Sequence, residues 1–247
     1  MAINQKVLDR IKSEMRKANR ILEKARTEGF GEADTRTIVM DILVAMLGWD
    51  KYHNLTAESS IGGGYADILI KKKDAKDNDY IYAVIEIKKV GLRLNENHLR
   101  QARDYARNEG IPWVVLTNGN DWQVYYLEPT KKHNKTAPEP FLVLSVSIND
   151  ESMKPQQKSE LFYLLSEEAS RKEELEQWCK KAKAVSAESL IKRLFTKEVI
   201  DKIRLGVKRE TGASFTNEEI AGFMLERIVR VEVRPERPDL VIKHCGK

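Results

Sequence analysis

Two carboxylates and one ammonium stand out between residues 65 and 90. Asp67 opens the β-branched run YADILIKK (65–72) just after three glycines, and Glu86-Ile87-Lys88 lies near the end of a second run, IYAVIEIKK (81–89). Side chains alternate along a strand, so Glu86 and Lys88 share a side while Ile81, Ala83, Ile85 and Ile87 take the other. A lone Glu-x-Lys is usually an ion pair on a wet strand face, and a lone Asp after glycines is usually a turn residue. Paired as an antiparallel hairpin through the turn residues DNDY (77–80), the two runs bring Asp67 close to Glu86. Two acids so placed repel each other unless something cationic sits between them. A hard divalent ion such as Mg²⁺ takes one or two carboxylates, keeps several waters and lowers the pKa of a bound water. With Lys88 to orient that water or stabilise developing negative charge, the trio suits hydrolysis of a phosphodiester.

The surrounding pattern supplies elements to hold them. Apolar residues at Ile3, Val7, Ile11, Met15, Ala18, Ile21, Leu22 and Ala25 have helical spacing and predict a helix over 3–28, stopped by Gly29. A second helix is expected from Glu32 to Leu47 with Gly48 as its cap. NENHLRQARDYARNEG (95–110) reads as a helix opened by an Asn and closed by Gly110 and Pro112. PWVVLTNG and WQVYYLE read as strands around the turn NGND, and Trp122, Val124 and Tyr126 alternate onto one face. After the polar loop TKKHNKTAPEP (130–140) comes a last strand-like piece, FLVLSVSI (141–148). From about Met153 the pattern turns helical, in three stretches, the last opening at Thr216 and Glu219 with capping-box spacing. The expected class is therefore α/β, a mixed sheet with flanking helices over 1–150, followed by an all-α region over 151–247.

Composition narrows the setting. The 247 residues are 33% charged and 41% hydrophobic, with no apolar run near the ~18–20 residues of a membrane span. The charged N-terminus lacks the apolar core of a secretory signal, and Cys179 and Cys245 stand far apart without a metal-binding partner motif. These features predict a cytoplasmic chain with free thiols and no membrane partner. A net charge of +5 is compatible with a polyanionic partner without requiring one.

Asp67 followed by Glu86-Ile87-Lys88 resembles the Asp…Glu-x-Lys core of the PD-(D/E)xK nuclease superfamily. Gln101-Ala-Arg-Asp-Tyr105 is similar to the Gln-x-x-x-Tyr motif of its RecB-like and type I restriction branches. GEADTRTIVMDILVAMLGWD (31–50) and VVLTNGNDWQVY (114–125) are similar to further motifs of the N-terminal nuclease domain of type I restriction enzyme R subunits. The resemblance covers residues 28–148, with the motifs in family order. It implies a restriction-endonuclease-like fold with Asp67 and Glu86 as metal ligands, Lys88 as catalytic lysine, Glu32 as the early-helix acid completing the metal site, and Gln101 and Tyr105 on a helix face beside it. It further implies Mg²⁺ (Mn²⁺ as substitute), a DNA substrate cut to 5′-phosphate and 3′-hydroxyl ends, and a restriction, defence or phage context. Ala66 replaces the family's proline. No G-x-x-x-x-G-K-[ST] loop is present, so the ATP-driven motor of R subunits is not part of the expectation.

A different class competes: a nucleic-acid-binding or protein-interaction module on the same fold, without turnover. The four histidines show no zinc spacing, although His98 lies three residues before Gln101. The basic face of the first helix and Lys71–Lys73 are candidate phosphate contacts, and Trp49, Trp113 and Trp122 read as core. The C-terminal apolar positions need a partner surface: the nuclease-like domain, each other, or a second copy in a homodimer.

Overall fold

A computed structural model of the chain describes residues 3–61, 64–129, 139–235 and 238–246; most of the predicted polar loop, including His133, and Gly62 and Gly63 lie outside the described residues. The chain forms two compact units, Met1–Cys179 and Lys180–Lys247.

The first unit opens with α1 (Gln5–Glu28), where the Asn4 side chain accepts the Lys6 N–H and Gly29 closes the last turn at φ +71°. Its apolar stripe, Leu8, Ile11, Met15, Ala18, Leu22 and Ala25, is buried. The expected second helix divides: α2 (Glu32–Asp41) passes into a π turn (Ile42–Met46), in which the Leu47 N–H reaches back five residues to the Ile42 carbonyl.

The sheet has six strands in sequential order: β1 (Leu55–Ile61), β2 (Gly64–Lys73), β3 (Asp79–Ile87), β4 (Trp113–Thr117), β5 (Asp121–Tyr126) and β6 (Phe141–Ser147). β1 has no counterpart among the expected strands. All neighbours run antiparallel except β3 and β4, which are parallel. A parallel pair needs a crossover, and α3 (Glu96–Glu109) supplies it, capped by the Asn95 side chain and ended by Gly110 in the left-handed region.

Each face of the sheet carries a hydrophobic core. On one, Leu99, Ala102, Tyr105 and Ala106 of α3 pack on Leu69, Val84, Val114 and Leu116. On the other, α1 and α2 join α4 (Pro155–Tyr163), α5 (Glu167–Arg171) and the start of α6 (Glu174–Ala184) over Ile68, Ile85, Trp113, Val115, Trp122 and Val124. Phe162, Tyr163, Leu164, Leu165, Ala169 and Leu175 lie in this same core, so residues 155–179 are part of the first unit, although composition alone puts its change near residue 150. The indole of Trp49 donates to the Leu165 carbonyl at 3.0 Å, and the buried Lys158 ammonium donates to the Ile148 carbonyl at 2.9 Å. Burial of each large side chain stabilises the fold by about 1.5–3 kcal/mol.

The second unit is helical: α7 (Ala187–Leu194), α8 (Lys197–Thr211), α9 (Asn217–Arg227), a 3-10 turn (Val231–Val233) and α10 (Pro238–Gly246). It has its own core of Ile191, Phe195, Ile200, Ile220, Met224, Leu225 and Cys245. The capping box at Thr216 and Glu219 forms as expected. Both cysteines are free and buried, and no helix among the described residues is long and apolar enough to cross a membrane.

Candidate active site

The β2/β3 ladder runs as far as Ile68–Ile85, and Asp67 and Glu86 are the next residues along their strands. Both acids are buried, at 3% and 5% exposure. An ionised carboxylate is costly to bury unless it is paired and hydrogen-bonded, and each has its answer. Asp67 Oδ2 accepts the Ile87 N–H at 2.8 Å, and Oδ1 accepts from Arg36 Nη2 at 3.0 Å. Glu86 Oε1 accepts from Lys88 Nζ at 2.6 Å, and the same ammonium lies 3.7 Å from Glu32 Oε1. Glu32 and Arg36 are one turn apart on α2, neighbours on the helix surface. A single helix thus presents an acid to the lysine and a base to the aspartate.

Burial raises the Glu86 carboxyl above its ordinary range; the Lys88 hydrogen bond and charge oppose this, and the nearby charges of Asp67 and Glu32 add to it. For Lys88, burial works against the charged form, but the hydrogen bond to Glu86 and the field of Glu86, Glu32 and Asp67 prevail and raise its pKa. The lysine therefore keeps its proton at neutral pH.

What holds these groups in place lies partly outside the expected residues. Where β3 ends, the Lys88 N–H donates to the Thr117 carbonyl at 2.8 Å. The Asn118 side chain then donates to the Leu92 carbonyl at 2.8 Å, and the buried Thr35 hydroxyl of α2 accepts the Val90 N–H at 3.0 Å. The segment after Lys88 is pinned from both sides. Thr117-Asn118-Gly119 owes its composition to this anchoring and to tight packing, since Gly119 sits at φ +85° against Leu22, Thr35 and Val39. The Trp122 indole closes the turn by donating to the Gly119 carbonyl at 2.9 Å. The family's early-helix motif, with its Glu and Arg, marks Arg36 but not its partner, and nothing marks Thr35; their partners lie 31 and 55 residues away, beyond any local pattern.

The structure brings Asp67, Glu86, Lys88 and Glu32 together. Gln101 and Tyr105 occupy α3, which packs on the strands that carry the two acids. Gln101 is exposed, whereas Tyr105 is buried among Ala66, Val84 and Leu116 with its hydroxyl lacking a hydrogen-bond partner. His98 serves the α3 cap, its Nδ1 accepting the Asn95 N–H at 3.3 Å. Of the basic candidates, Lys72 is turned inward, donating to the Ser170 carbonyl and lying over the Tyr82 ring, and Lys73 pairs with Asp77. On α1, Arg10 makes two hydrogen bonds to Glu168.

Among the described residues no group of three or more His, Cys, Asp or Glu is arranged to hold a metal ion. Two buried carboxylates, near enough for the charge of Asp67 to act on Glu86, are still a donor set that suits a hard divalent cation, which takes one or two carboxylates and fills its other positions with water. Residues 31–139 match the family model described as type I restriction enzyme R protein N terminus, a span that contains Glu32, Arg36, Asp67, Glu86, Lys88, Gln101 and Tyr105. No curated protein matches the chain, and no solved structure does.

Proposed function

We propose that this chain, whose residues 31–139 belong to the family of type I restriction R-protein N termini, is a Mg²⁺-dependent deoxyribonuclease of restriction or defence systems. The observation that carries the reading is a pair of buried acids at neighbouring positions of β2 and β3, Asp67 bonded to the Ile87 amide beside Glu86 and the Lys88 ammonium 2.6 Å from Glu86. Asp67 and Glu86 would hold the cation, with Mn²⁺ as substitute, and Glu32, 3.7 Å from the Lys88 ammonium, would join them as a ligand only by turning from that lysine. The bound ion would polarise a phosphoryl oxygen and make water a competent nucleophile near neutral pH. Lys88, kept protonated by the acids around it, stabilises negative charge growing on the phosphate oxygens. Gln101, exposed on α3, is suited to contact the DNA, and Tyr105 beneath it fixes the helix against the sheet.

Charge distribution supports a polyanionic partner. The second unit carries 16 Lys and Arg against 10 Asp and Glu, while the first carries 27 against 28, so the surplus positive charge belongs to the helical unit. A helical unit of this charge suits sequence-independent contact with phosphates, and pairing of two copies through it would bring two centres to one duplex.

The test is cleavage of duplex and single-stranded DNA with Mg²⁺ or Mn²⁺, against excess chelator, by the wild type and by Asp67→Ala, Glu86→Ala and Lys88→Ala. Metal-dependent cleavage that all three substitutions abolish is the expected result. Equal cleavage by all four proteins overturns the assignment. So does salt-sensitive DNA binding with no cleavage under any metal, which identifies a binding module on the same fold.

A further inference from the structure

The Arg36–Asp67 contact bears on the order in which this site fills. Arg36 is not a surface arginine that happens to reach an acid. It sits on the first turns of α2, a helix anchored by the Thr35 hydroxyl, which donates to the Gly31 carbonyl at 2.8 Å and accepts the Val90 N–H at 3.0 Å, and by buried Ile38 and Val39. Its Nη2 meets Asp67 Oδ1 at 3.0 Å, with the arginine side chain 20% exposed and the aspartate side chain 5%. The other Asp67 oxygen is taken by the Ile87 amide. Without an ion, then, both Asp67 oxygens have donors and Glu86 has Lys88.

Among the described residues the site gathers three acids, Glu32, Asp67 and Glu86, and two bases, Arg36 and Lys88, and these five groups sum to one negative charge. A divalent cation alone turns it to one net positive charge in a largely buried place. A cation together with one phosphodiester leaves it neutral. The fixed bases therefore oppose the ion by itself and favour the ion with its substrate.

We infer that Arg36 is a positioning residue that also acts as the resident counter-charge of Asp67, holding cation affinity low until a phosphodiester arrives, so that metal and DNA load together. This rests on the nuclease reading of the same site. The coupling is reciprocal by thermodynamic necessity, each ligand tightening the other by the same factor. When the ion competes for Asp67, the displaced guanidinium is placed to meet a phosphate, which it can grip through two parallel N–H donors.

The experiment measures free Mn²⁺ by its EPR signal, titrated into the full chain with and without a short duplex of hydrolysis-resistant phosphorothioate linkages. Wild type is expected to bind Mn²⁺ about tenfold more tightly with the duplex than without, within the usual range of such couplings. Arg36→Gln is expected to bind Mn²⁺ about tenfold more tightly than wild type in the absence of DNA and to lose most of the duplex effect, while Arg36→Lys stays close to wild type. A merely structural arginine gives the opposite sign, because losing it disorders Asp67 and weakens the ion. Arg36→Gln binding Mn²⁺ equally or more weakly overturns the inference and leaves the nuclease reading standing. Should Arg36→Gln fail to fold, the wild-type comparison decides: no duplex effect on Mn²⁺ affinity overturns the inference. Absence of Mn²⁺ binding by wild type and Arg36→Gln alike, with or without duplex, overturns the nuclease reading together with it.

Discussion

Gly119 is the position where the motif LTNG can be tested as architecture. Its φ of +85° lies in the left-handed region, and a Cβ built there falls 2.8 Å from Leu22 Cδ2 and 3.6 Å from Thr35 Cγ2. Gly119→Ala therefore meets two penalties. The left-handed backbone costs an L-residue roughly 1–2 kcal/mol, and overpacking a filled core costs about 1–3 kcal/mol. The Leu22 methyl is the mobile end of its side chain and yields part of the second penalty, so a total of about 2–4 kcal/mol is expected. For a unit of this size each kcal/mol lowers the melting temperature by roughly 2–4 °C, which gives a drop of about 5–15 °C. Trp49, Trp113 and Trp122 are buried in the core of the first unit, so the thermal transition of their fluorescence reports that unit. Gly110→Ala is the control: φ is +68° but nothing lies within 4 Å of the added Cβ, so only the backbone penalty applies and the drop is about half as large or less. If Gly119→Ala melts within about 2 °C of wild type, or no lower than Gly110→Ala, the argument that this turn is seated against α1 and α2 is refuted.

Glu86→Gln is expected to change the pH dependence of stability in a defined direction. Because the folded Glu86 carboxyl titrates above 4.5, the native state holds a proton that the unfolded chain has released, and stability falls as pH rises from about 4.5 through the folded value. Urea titrations across that window show the decline in wild type and a flatter curve in the variant; identical slopes refute the assignment of burial as the cause. Tyr105→Phe removes a buried hydroxyl that lacks a hydrogen-bond partner, so the melting temperature is expected to hold or rise, by up to about 1 kcal/mol of stability. A clear loss of stability means the hydroxyl is already satisfied in the fold.

The two hairpins, β2 with β3 and β4 with β5, are legible in the sequence because each pairs a short apolar run with turn residues, and that alone brings Asp67 close to Glu86. β1 is not, because LTAESSI has neither alternation nor an apolar run; it is a strand through its ladder to β2, a tertiary cause. The C-terminal helices are legible in kind but not in number. Their apolar spacing continues across Ser166 and Ser186, yet the hydroxyls of both residues cap new helices by accepting the N–H groups of Ala169 and Ser189. Glu173, at φ +54°, interrupts another. Periodicity reports which face is apolar, but not where a polar side chain outcompetes the next helical turn. For the same reason residues 155–179 advertise a helical region without saying that its apolar face covers the sheet.

The site falls where it does because of one topological fact. β3 and β4 are the only parallel neighbours in the described sheet, so their carboxyl ends lie side by side, and a hairpin cannot close that end. The chain must leave β3 there and travel to α3, which exposes the strand-end backbone groups that a turn would otherwise satisfy. The Thr117 carbonyl accepts the Lys88 amide, the Asn118 side chain donates to the Leu92 carbonyl, and the Thr35 hydroxyl accepts the Val90 amide; these bonds fix the exit path and with it the direction of the lysine. Asp67 arrives at the same end because β2 runs opposite to β3, and one of its oxygens accepts the Ile87 amide. Charged groups are tolerated at this end because the crossover leaves polar backbone there to be answered, and the answering side chains come from separate segments of the chain. A glutamate and a lysine in an otherwise apolar strand are then a consequence of where that strand stops.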